Sequence, residues 1–546
     1  MNKGPFGISL SMFLGVMAFL AAPALTAAQP CEQIASLKLP DATVTSASGV
    51  PAGEFPLQGG LDAIGQGPLH PMGRRPGPAD LPAFCRVQIT VAPAIKMEIW
   101  LPTSGWNGDF EGVGNGGKAG VISYPAMATA LKGGYAVAST DTGHQGEGGD
   151  TQWALGHPEL VADFAYRAIH EMTVAATSVV RAFYGKRPRY SFFNGCSTGG
   201  RQGLMEAQRY PGDYNGILTG DPVMYYTHVQ AAAPFWVALQ AKKDPESYIP
   251  PAKLPAINAA SVAACDSIDG VKDGLIENPL KCPFRSDPSA LLCQGPDSPT
   301  CLTTKQLQTL KEIYNGYRDA EKKLVYPGSM PGHEEGWGFI APADPSKTLA
   351  DNTSVGVVGF FKYFVFSNPN WDYRTWDYVK DMAYTDEKLA AMMNATDPDL
   401  KHFQALGGKL LLYHGWTDPS VSPLETIHYY KNVVAVANGG KPTATEDETP
   451  AMPNEARPKS DFVRMFMVPG MDHCGGGPGP NLFDAFGPLV NWVENHHPPE
   501  TIIASHMTNG AVDRTRPLCP YPKTAQYTGQ GSTDDAANFV CRAPGN

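Results

Sequence analysis

The chain has 546 residues, too many for one small domain and enough for a large core with an insertion. It carries 42 basic and 53 acidic residues, which give a formal net charge of -11 at pH 7. This acidic balance argues against a nucleic-acid partner or an anionic membrane surface. The 58 glycines and 50 prolines indicate many ordered loops rather than long regular elements.

The N-terminus, residues 1–28, has the pattern of a secretory signal peptide. Lys3 gives a positive start, an apolar stretch runs from 8 to 20, and small residues end at Ala28. A membrane anchor is the alternative, but the apolar stretch is short for a bilayer span, and no later stretch is long and apolar enough. We therefore expect a secreted or periplasmic protein with no membrane span.

The ten cysteines form an even set, which suits disulfide bonding in an oxidising compartment. A zinc site is the alternative, but the sequence has neither a Cys-x-x-Cys pair nor a His-Glu-x-x-His motif. The spacing alone leaves the connectivity open.

The N-terminal third combines strand patterns with a glycine-rich loop. Residues 87–91 and 97–101 alternate as strands do, and the loop 112–120 follows them. This loop contains G-x-G-x-x-G, but an exported, disulfide-rich chain is an improbable dinucleotide enzyme. In α/β-hydrolases a loop after an early strand supplies one N–H of the oxyanion hole, and Gly116 or Gly117 is the predicted donor here.

The next segments alternate between strand and helix. Residues 134–140 read as a buried strand, 160–184 as a helix with apolar residues at three- and four-residue steps, and 214–220 as a further strand. This order predicts an α/β fold with a mostly parallel sheet covered on both faces.

A candidate nucleophile lies between these elements. Residues 195–199 read Gly-Cys-Ser-Thr-Gly and fit G-x-S-x-G, with a short apolar strand before them and a helix start after them. A plain Gly/Ser loop is the alternative interpretation. The strand–turn–helix context favours Ser197 as a nucleophile, and the N–H of Thr198 as the second oxyanion donor.

From 224 to 400 the strand–helix pattern breaks, and we interpret this stretch as an inserted lid. Most of its aromatic residues are expected to form a lid core, while a few could line an acyl pocket. The aromatic run comprises Phe360, Phe361, Tyr363, Phe364, Phe366, Trp371, Tyr373, Trp376 and Tyr378.

Three carboxylates lie close together within the predicted lid, at Asp266, Asp269 and Asp273. Their spacing, with glycines that allow a tight turn, suits a hard cation with oxygen ligands. The segment departs from an EF-hand, because Ile268 and Gly270 occupy the third and fifth ligand positions. A solvated acidic turn is the alternative.

Two later strands each end in a loop with a polar side chain. The segment 409–418 reads as an apolar strand that ends in a loop with Asp418 at its tip, and the segment 463–474 as a second strand that ends in a loop with His473. The order serine, acid, histidine is that of α/β-hydrolases, so we assign His473 as the general base and Asp418 as its orienting carboxylate. Asp472 is the competing acid, but its position next to His473 in sequence is a poor geometry for holding that ring.

The cysteines add an independent constraint on this assignment. Cys196 precedes Ser197, and Cys474 follows His473. If the serine and histidine lie within hydrogen-bonding reach, these two cysteines lie close together and are expected to pair.

The combination Gly-Cys-Ser-x-Gly-Gly, Trp-Thr-Asp and Asp-His-Cys resembles the tannase and feruloyl esterase family of α/β-hydrolases, which also contains terephthalate-monoester hydrolases. The resemblance spans essentially the whole mature chain. It implies the Cys196–Cys474 disulfide and a structural calcium ion in the lid, held by the carboxylates of Asp266, Asp269 and Asp273 and the backbone carbonyls of Val271 and Leu275. Together with proximity along the chain, it suggests four more pairs: Cys31–Cys85, Cys265–Cys282, Cys293–Cys301 and Cys519–Cys541.

The resemblance also implies the activity, a serine esterase that acts on small aromatic esters, either ferulate-like hydroxycinnamates or gallates. No organic cofactor is expected, and the oligomeric state stays open. His414 and Trp416 either line the substrate pocket or pack beneath the acid loop. The predicted units are a core in two parts, 29–223 and 401–546, with the lid at 224–400 between them.

Two other functions remain open at this point. A terephthalate-monoester hydrolase would need a positioned cation for the free carboxylate of its substrate, and Arg374 and Lys362 are candidates. A non-catalytic phenol- or carbohydrate-binding protein is the alternative of another class, although a binder has no need of the serine, acid, histidine order.

Overall fold

The computed structural model describes residues 29–57, 77–338, 340–341, 356–443 and 461–543, together with residues 1 and 4. The predicted signal peptide therefore lies outside the described residues except at two positions. Residues 339 and 342–355 of the predicted lid also lie outside the described residues.

The strands of the described residues belong to one large sheet and three small hairpins. In chain order they are β1 Lys38–Leu39, β2 Ala42–Val50, β3 Phe84–Val91, β4 Ile95–Pro102, β5 Phe110–Val113, β6 Ala136–Thr140, β7 Ser191–Cys196, β8 Gly216–Gly220, β9 Tyr317–Arg318, β10 Leu324–Tyr326, β11 Lys409–Gly415, β12 Val463–Val468, β13 Ile502–Thr508, β14 Ala511–Leu518, β15 Thr524–Tyr527 and β16 Phe539–Arg542.

The large sheet has the order β1-β2-β3-β4-β6-β5-β7-β8-β11-β12. Strands β1 to β4 pair antiparallel, and β4 pairs antiparallel with β6. From β6 to β12 every pairing is parallel. All residues of β6 and β8 are buried, as expected for parallel strands covered on both faces. The predicted α/β-hydrolase fold is confirmed.

The helices of the described residues are α1 Tyr124–Lys132, α2 Pro158–Ala162, α3 Ala168–Tyr184, α4 Thr198–Arg209, α5 Tyr226–Val229, α6 Phe235–Lys243, α7 Leu254–Cys265, α8 Thr304–Asn315, α9 Val357–Gly359, α10 Lys380–Thr385, α11 Ala391–Met393, α12 Lys401–Ala405, α13 Pro423–Ala437 and α14 Phe486–Asn495. The helix predicted over 160–184 is present as α2, a π-helical turn at 163–167, and α3. It ends at Gly185, whose φ of 72° is the left-handed cap that glycine favours. None of the described helices combines the length and apolarity that a bilayer crossing requires.

The chain between β8 and β11 contributes no strand to the large sheet within its described residues. Its aromatic run mostly forms an apolar cluster of its own, in which Phe360, Phe361, Phe364 and Trp376 are buried. The same cluster includes Phe164, which precedes α3, so this part packs against the main body. These buried aromatic side chains therefore fill the interior of the segment rather than line an open pocket.

All five predicted disulfides are confirmed, and no cysteine is free. The pairs are Cys31–Cys85, Cys196–Cys474, Cys265–Cys282, Cys293–Cys301 and Cys519–Cys541. The second pair joins segments 278 residues apart in sequence, whereas the fourth spans only 8.

Candidate active site

Ser197 lies at the sharp turn between β7 and α4. Its φ of 61° and ψ of -123° place it in a strained conformation that side chains rarely adopt. The two glycines of the motif make this turn possible, because a Cβ on Gly195 would lie 2.5 Å from the carbonyl carbon of Gly199. The turn therefore presents the serine hydroxyl at the carboxyl end of the parallel strands, as in the nucleophile elbow of α/β-hydrolases.

Ser197, His473 and Asp418 form one hydrogen-bonded chain. The Oγ of Ser197 is 2.8 Å from Nε2 of His473, and Nδ1 of His473 is 2.6 Å from Oδ2 of Asp418. The other carboxylate oxygen of Asp418 accepts hydrogen bonds from the backbone N–H groups of Ser420 and Val421, at 2.7 and 2.9 Å. The acid is thus fixed by its own loop and directs one oxygen at the imidazole.

Asp472, the competing acid, binds other partners. Its carboxylate accepts hydrogen bonds from Nδ1 of His333, at 2.8 and 2.9 Å, and from the Thr417 hydroxyl at 3.0 Å. The structure therefore brings Asp418 to the Nδ1 side of His473, and Asp472 to a residue of the intervening segment.

Buried charges determine the pKa values of His473 and Asp418. Burial alone would lower the pKa of His473, but the Asp418 carboxylate outweighs it and raises that pKa, with smaller contributions from Asp221 and Asp472. Burial would raise the pKa of Asp418, but His473 and His414 hold it well below its usual range. An ionised acid beside a basic imidazole is the state that removes a proton from a serine.

The glycine-rich loop lies against the nucleophile turn. The Thr198 hydroxyl donates to the carbonyl of Gly117 at 2.7 Å. The N–H groups of Gly114, Asn115 and Lys118 donate to Asn194, Gln202 and Gly148, respectively. Within the described part of the chain, no backbone hydrogen bond engages the N–H groups of Gly116 and Gly117, the two predicted oxyanion donors.

The Cys196–Cys474 disulfide connects the two reactive segments. Its Cα atoms are 6.0 Å apart, and it joins the residue before Ser197 to the residue after His473. Cys474 has a φ of 60°, so the histidine loop turns sharply at this bond. The disulfide restrains the distance between nucleophile and base.

Replacing Cys196 and Cys474 together with alanine is expected to destabilise the protein and lower kcat. The chain-entropy model assigns about 5.6 kcal/mol to so long a closed loop and about 2.5 kcal/mol to a loop of 8 residues. Denaturant unfolding and ester turnover would be measured beside the matched control Cys293→Ala/Cys301→Ala. Equal losses of activity in the two double variants would contradict a positioning role for this disulfide.

His414 and Trp416 are both buried. The His414 ring has no exposed surface; Nδ1 is 2.7 Å from the Thr426 hydroxyl and Nε2 is 3.1 Å from the carbonyl of Val421. Trp416 packs in the main apolar cluster. Both residues therefore pack beneath the acid loop, and their positions do not support the prediction that they line the substrate pocket.

Asp221 was not predicted from the sequence, although it belongs to the same site. It follows β8 directly, is fully buried, and lies within 4.8 Å of the polar atoms of Asp418 and His473. The signal that could have found it is its position, since the ends of neighbouring parallel strands meet at one edge of the sheet.

The acidic loop of the intervening segment is a compact turn. One oxygen of Asp266 accepts the N–H groups of Asp273 and Gly274 at 3.1 Å, and Asp269 accepts that of Val271 at 3.0 Å. Burial raises the pKa of Asp269 to about 6, and repulsion from Asp273 and Asp266 adds to the shift.

Two further charged groups lie at this turn. Burial raises the pKa of Glu277 to about 8, with repulsion from Asp269 and Asp273 adding to it. Arg516 forms an ion pair with Asp273. The carboxylates of Asp269, Asp273 and Glu277 lie near this one guanidinium, so carboxylate groups outnumber the cation at the turn. Oxygen donors of this kind are the ligands that a hard cation takes.

The sheet order, the strained serine turn and the hydrogen-bonded Ser-His-Asp chain define an α/β-hydrolase. The family model described as tannase and feruloyl esterase matches residues 82–542. This chain belongs to that family and is a carboxylic ester hydrolase.

Individual relatives agree with this assignment. An uncharacterized esterase of Xanthomonas campestris pv. campestris is 36% identical, with 94% of this chain and 92% of the relative covered. A probable feruloyl esterase B-1 of Aspergillus oryzae is 31% identical, with the same coverage. The crystal structure of feruloyl esterase B from Aspergillus oryzae superposes with a TM-score of 0.79 at 30% identity, and covers 94% of this chain and 99% of that one.

Proposed function

We propose that this protein is a secreted serine esterase that hydrolyses esters of aromatic carboxylic acids, with ferulate-like hydroxycinnamates and gallates as the acyl classes. The observation that carries the proposal is the hydrogen-bonded chain from Ser197 through His473 to Asp418. Pairing of all ten cysteines supports an oxidising, extracytoplasmic location.

In the proposed reaction, His473 takes the proton of Ser197 as its Oγ attacks the ester carbonyl carbon. The oxyanion of the tetrahedral intermediate accepts hydrogen bonds from the N–H of Thr198 and from one N–H of the Gly116–Gly117 loop. The protonated His473 then donates its proton to the leaving alcohol, and an acyl-serine remains. Water, deprotonated by His473, hydrolyses the acyl-serine and releases the acid.

The aromatic acyl class rests on the relatives. The feruloyl esterases among them carry that substrate in their names. The terephthalate-monoester alternative needs a cation near the acyl group. Arg374 is exposed and paired with Asp372, which gives that alternative no support from this residue.

The test is hydrolysis of four esters by the oxidised protein: methyl ferulate, methyl gallate, a terephthalate monoester and a short aliphatic ester. Each is measured beside Ser197→Ala. We expect turnover of methyl ferulate or methyl gallate at least tenfold above that of the aliphatic ester, and dependent on Ser197. A preference for the terephthalate monoester, or for the aliphatic ester, would overturn the acyl assignment.

We further propose that a calcium ion binds the carboxylates of Asp266, Asp269 and Asp273 with the carbonyls of Val271 and Leu275. The ion would stabilise the turn by neutralising repelling carboxylates, and no triad residue lies in this segment.

Chelation with EDTA is expected to lower the melting temperature by a few degrees. A ligand at 100 times its Kd contributes about 2.7 kcal/mol. Asp269→Asn should remove the chelator effect, whereas the exposed Glu321→Gln should retain it. A calorimetric melt unmoved by EDTA in the unaltered protein would count against the site.

A further inference from the structure

Asp221 is a buried carboxylate that the proposed reaction does not use. It follows the last residue of β8 and has a φ of 37°, in the left-handed region that non-glycine residues rarely occupy. A strained, fully buried acid is costly to retain unless the surrounding contacts hold it there.

Its contacts connect two segments of the candidate active site. Oδ1 accepts the backbone N–H of Gly415 at 2.9 Å, at the end of β11. Oδ2 accepts the backbone N–H of Cys474 at 3.3 Å, in the loop that carries His473. The carboxylate thus joins the acid strand to the histidine loop.

His414 lies between Asp221 and Asp418. Its Nε2 is 3.5 Å from Oδ1 of Asp221 and 3.4 Å from Oδ2 of Asp418, and it donates to the carbonyl of Val421 at 3.1 Å. Burial alone would lower the pKa of His414, but the two carboxylates outweigh it and raise that pKa. Burial raises the pKa of Asp221 to about 6, so the acid is ionised above neutral pH.

These four groups form a buried charge set: two carboxylates, Asp221 and Asp418, and two imidazoles, His414 and His473. With His414 protonated and His473 neutral, the set has one excess negative charge. When His473 takes the proton of Ser197, the set becomes neutral. Asp472 also faces His473, but His333 of the intervening segment binds it.

We propose that Asp221 is a positioning residue behind His473: it holds the histidine loop through the backbone of Cys474 and stabilises the imidazolium that forms during the reaction, while the charge of His414 partly offsets it. The proposal rests on the serine esterase function above. It differs from the triad itself, because Asp221 acts on His473 through charge and through the Cys474 backbone, with no contact to substrate.

The first test is an NMR titration of histidine-labelled protein in the Ser197→Ala background, which reads the His473 midpoint without turnover. Adding Asp221→Asn removes the charge and keeps the side-chain shape. Loss of a nearby negative charge destabilises the imidazolium, so the midpoint should fall by about one pH unit. An unchanged midpoint would overturn the proposal.

Two matched variants sharpen the result. Asp472→Asn removes a carboxylate that also faces His473 but does not contact His414, and it should shift the midpoint less than Asp221→Asn; an equal shift would overturn the proposal. His414→Asn removes a cation, so the midpoint should move upward, and a downward shift would overturn it too. If Asp221→Asn fails to fold, the direction of the His414→Asn shift still decides.

Turnover supplies a separate readout. With Ser197 restored, Asp221→Asn should move the acid limb of kcat/KM to lower pH by the same amount and lower the plateau kcat about tenfold. If no variant hydrolyses any ester, the proposed function fails, while the NMR midpoints still test the role of Asp221.

Discussion

Replacing Ser197 with alanine is expected to lower kcat on an aromatic ester by about 10⁶-fold. The hydroxyl is the atom that attacks the carbonyl in the proposed reaction, and alanine leaves only the oxyanion donors and substrate binding. The measurement is steady-state turnover of the preferred ester, together with labelling by a fluorophosphonate probe and mass mapping of the labelled residue.

Ser420→Ala is the matched control for this variant. Ser420 lies in the acid loop and contributes its backbone N–H to Asp418, which alanine keeps. We expect Ser420→Ala to retain near-normal kcat and labelling, and both variants to melt close to the unaltered protein. Retained turnover in Ser197→Ala, or labelling of another residue, would reject Ser197 as the nucleophile.

Replacing Asp418 with asparagine is expected to lower kcat by about 10⁴-fold. The carboxylate accepts the Nδ1 proton of His473 at 2.6 Å and so leaves Nε2 free to take the serine proton. Because the loop N–H groups of Ser420 and Val421 already bind one oxygen, the amide nitrogen of asparagine would face His473. An N–H that donates to Nδ1 favours the imidazole tautomer whose proton is on Nε2. In that tautomer Nε2 has no lone pair with which to accept the proton of Ser197.

The pH dependence of the same variant gives a second result. The carboxylate raises the His473 pKa, so the acid limb of kcat/KM in the unaltered protein should lie above the ordinary histidine value of about 6.5. In Asp418→Asn the limb should move to lower pH. Asp472→Asn is the matched control, and a loss there as large as in Asp418→Asn would reverse the assignment of the acid.

Much of this site could be predicted from the sequence because its residues follow strands. Ser197 comes directly after β7, and Asp418 and His473 lie in the loops that follow β11 and β12. Parallel strands bring their carboxyl ends to one edge of a sheet. The Cys196–Cys474 pair then followed, since two residues adjacent to bonded side chains must themselves be close.

The sequence did not show which side chains lie close together in the core. His414 and Trp416 precede Asp418 by four and two residues in the sequence, but both pack in the interior. The local pattern does not show which side chains near the end of β11 face a substrate pocket and which face the core. The same limit hid Asp221, a single acid whose importance depends on β8 lying next to β11.

By itself, the sequence determined the order of the elements and the motif chemistry, because these depend on local pattern. The full set of cysteine pairs needed the family resemblance as well. The tertiary structure alone showed where the competing acid goes, since Asp472 binds His333 while Asp418 binds the imidazole of His473. It also decided that Asp221 and His414 join the site. Contacts between segments far apart in the chain are set by how strands and loops pack, and no local pattern records that packing.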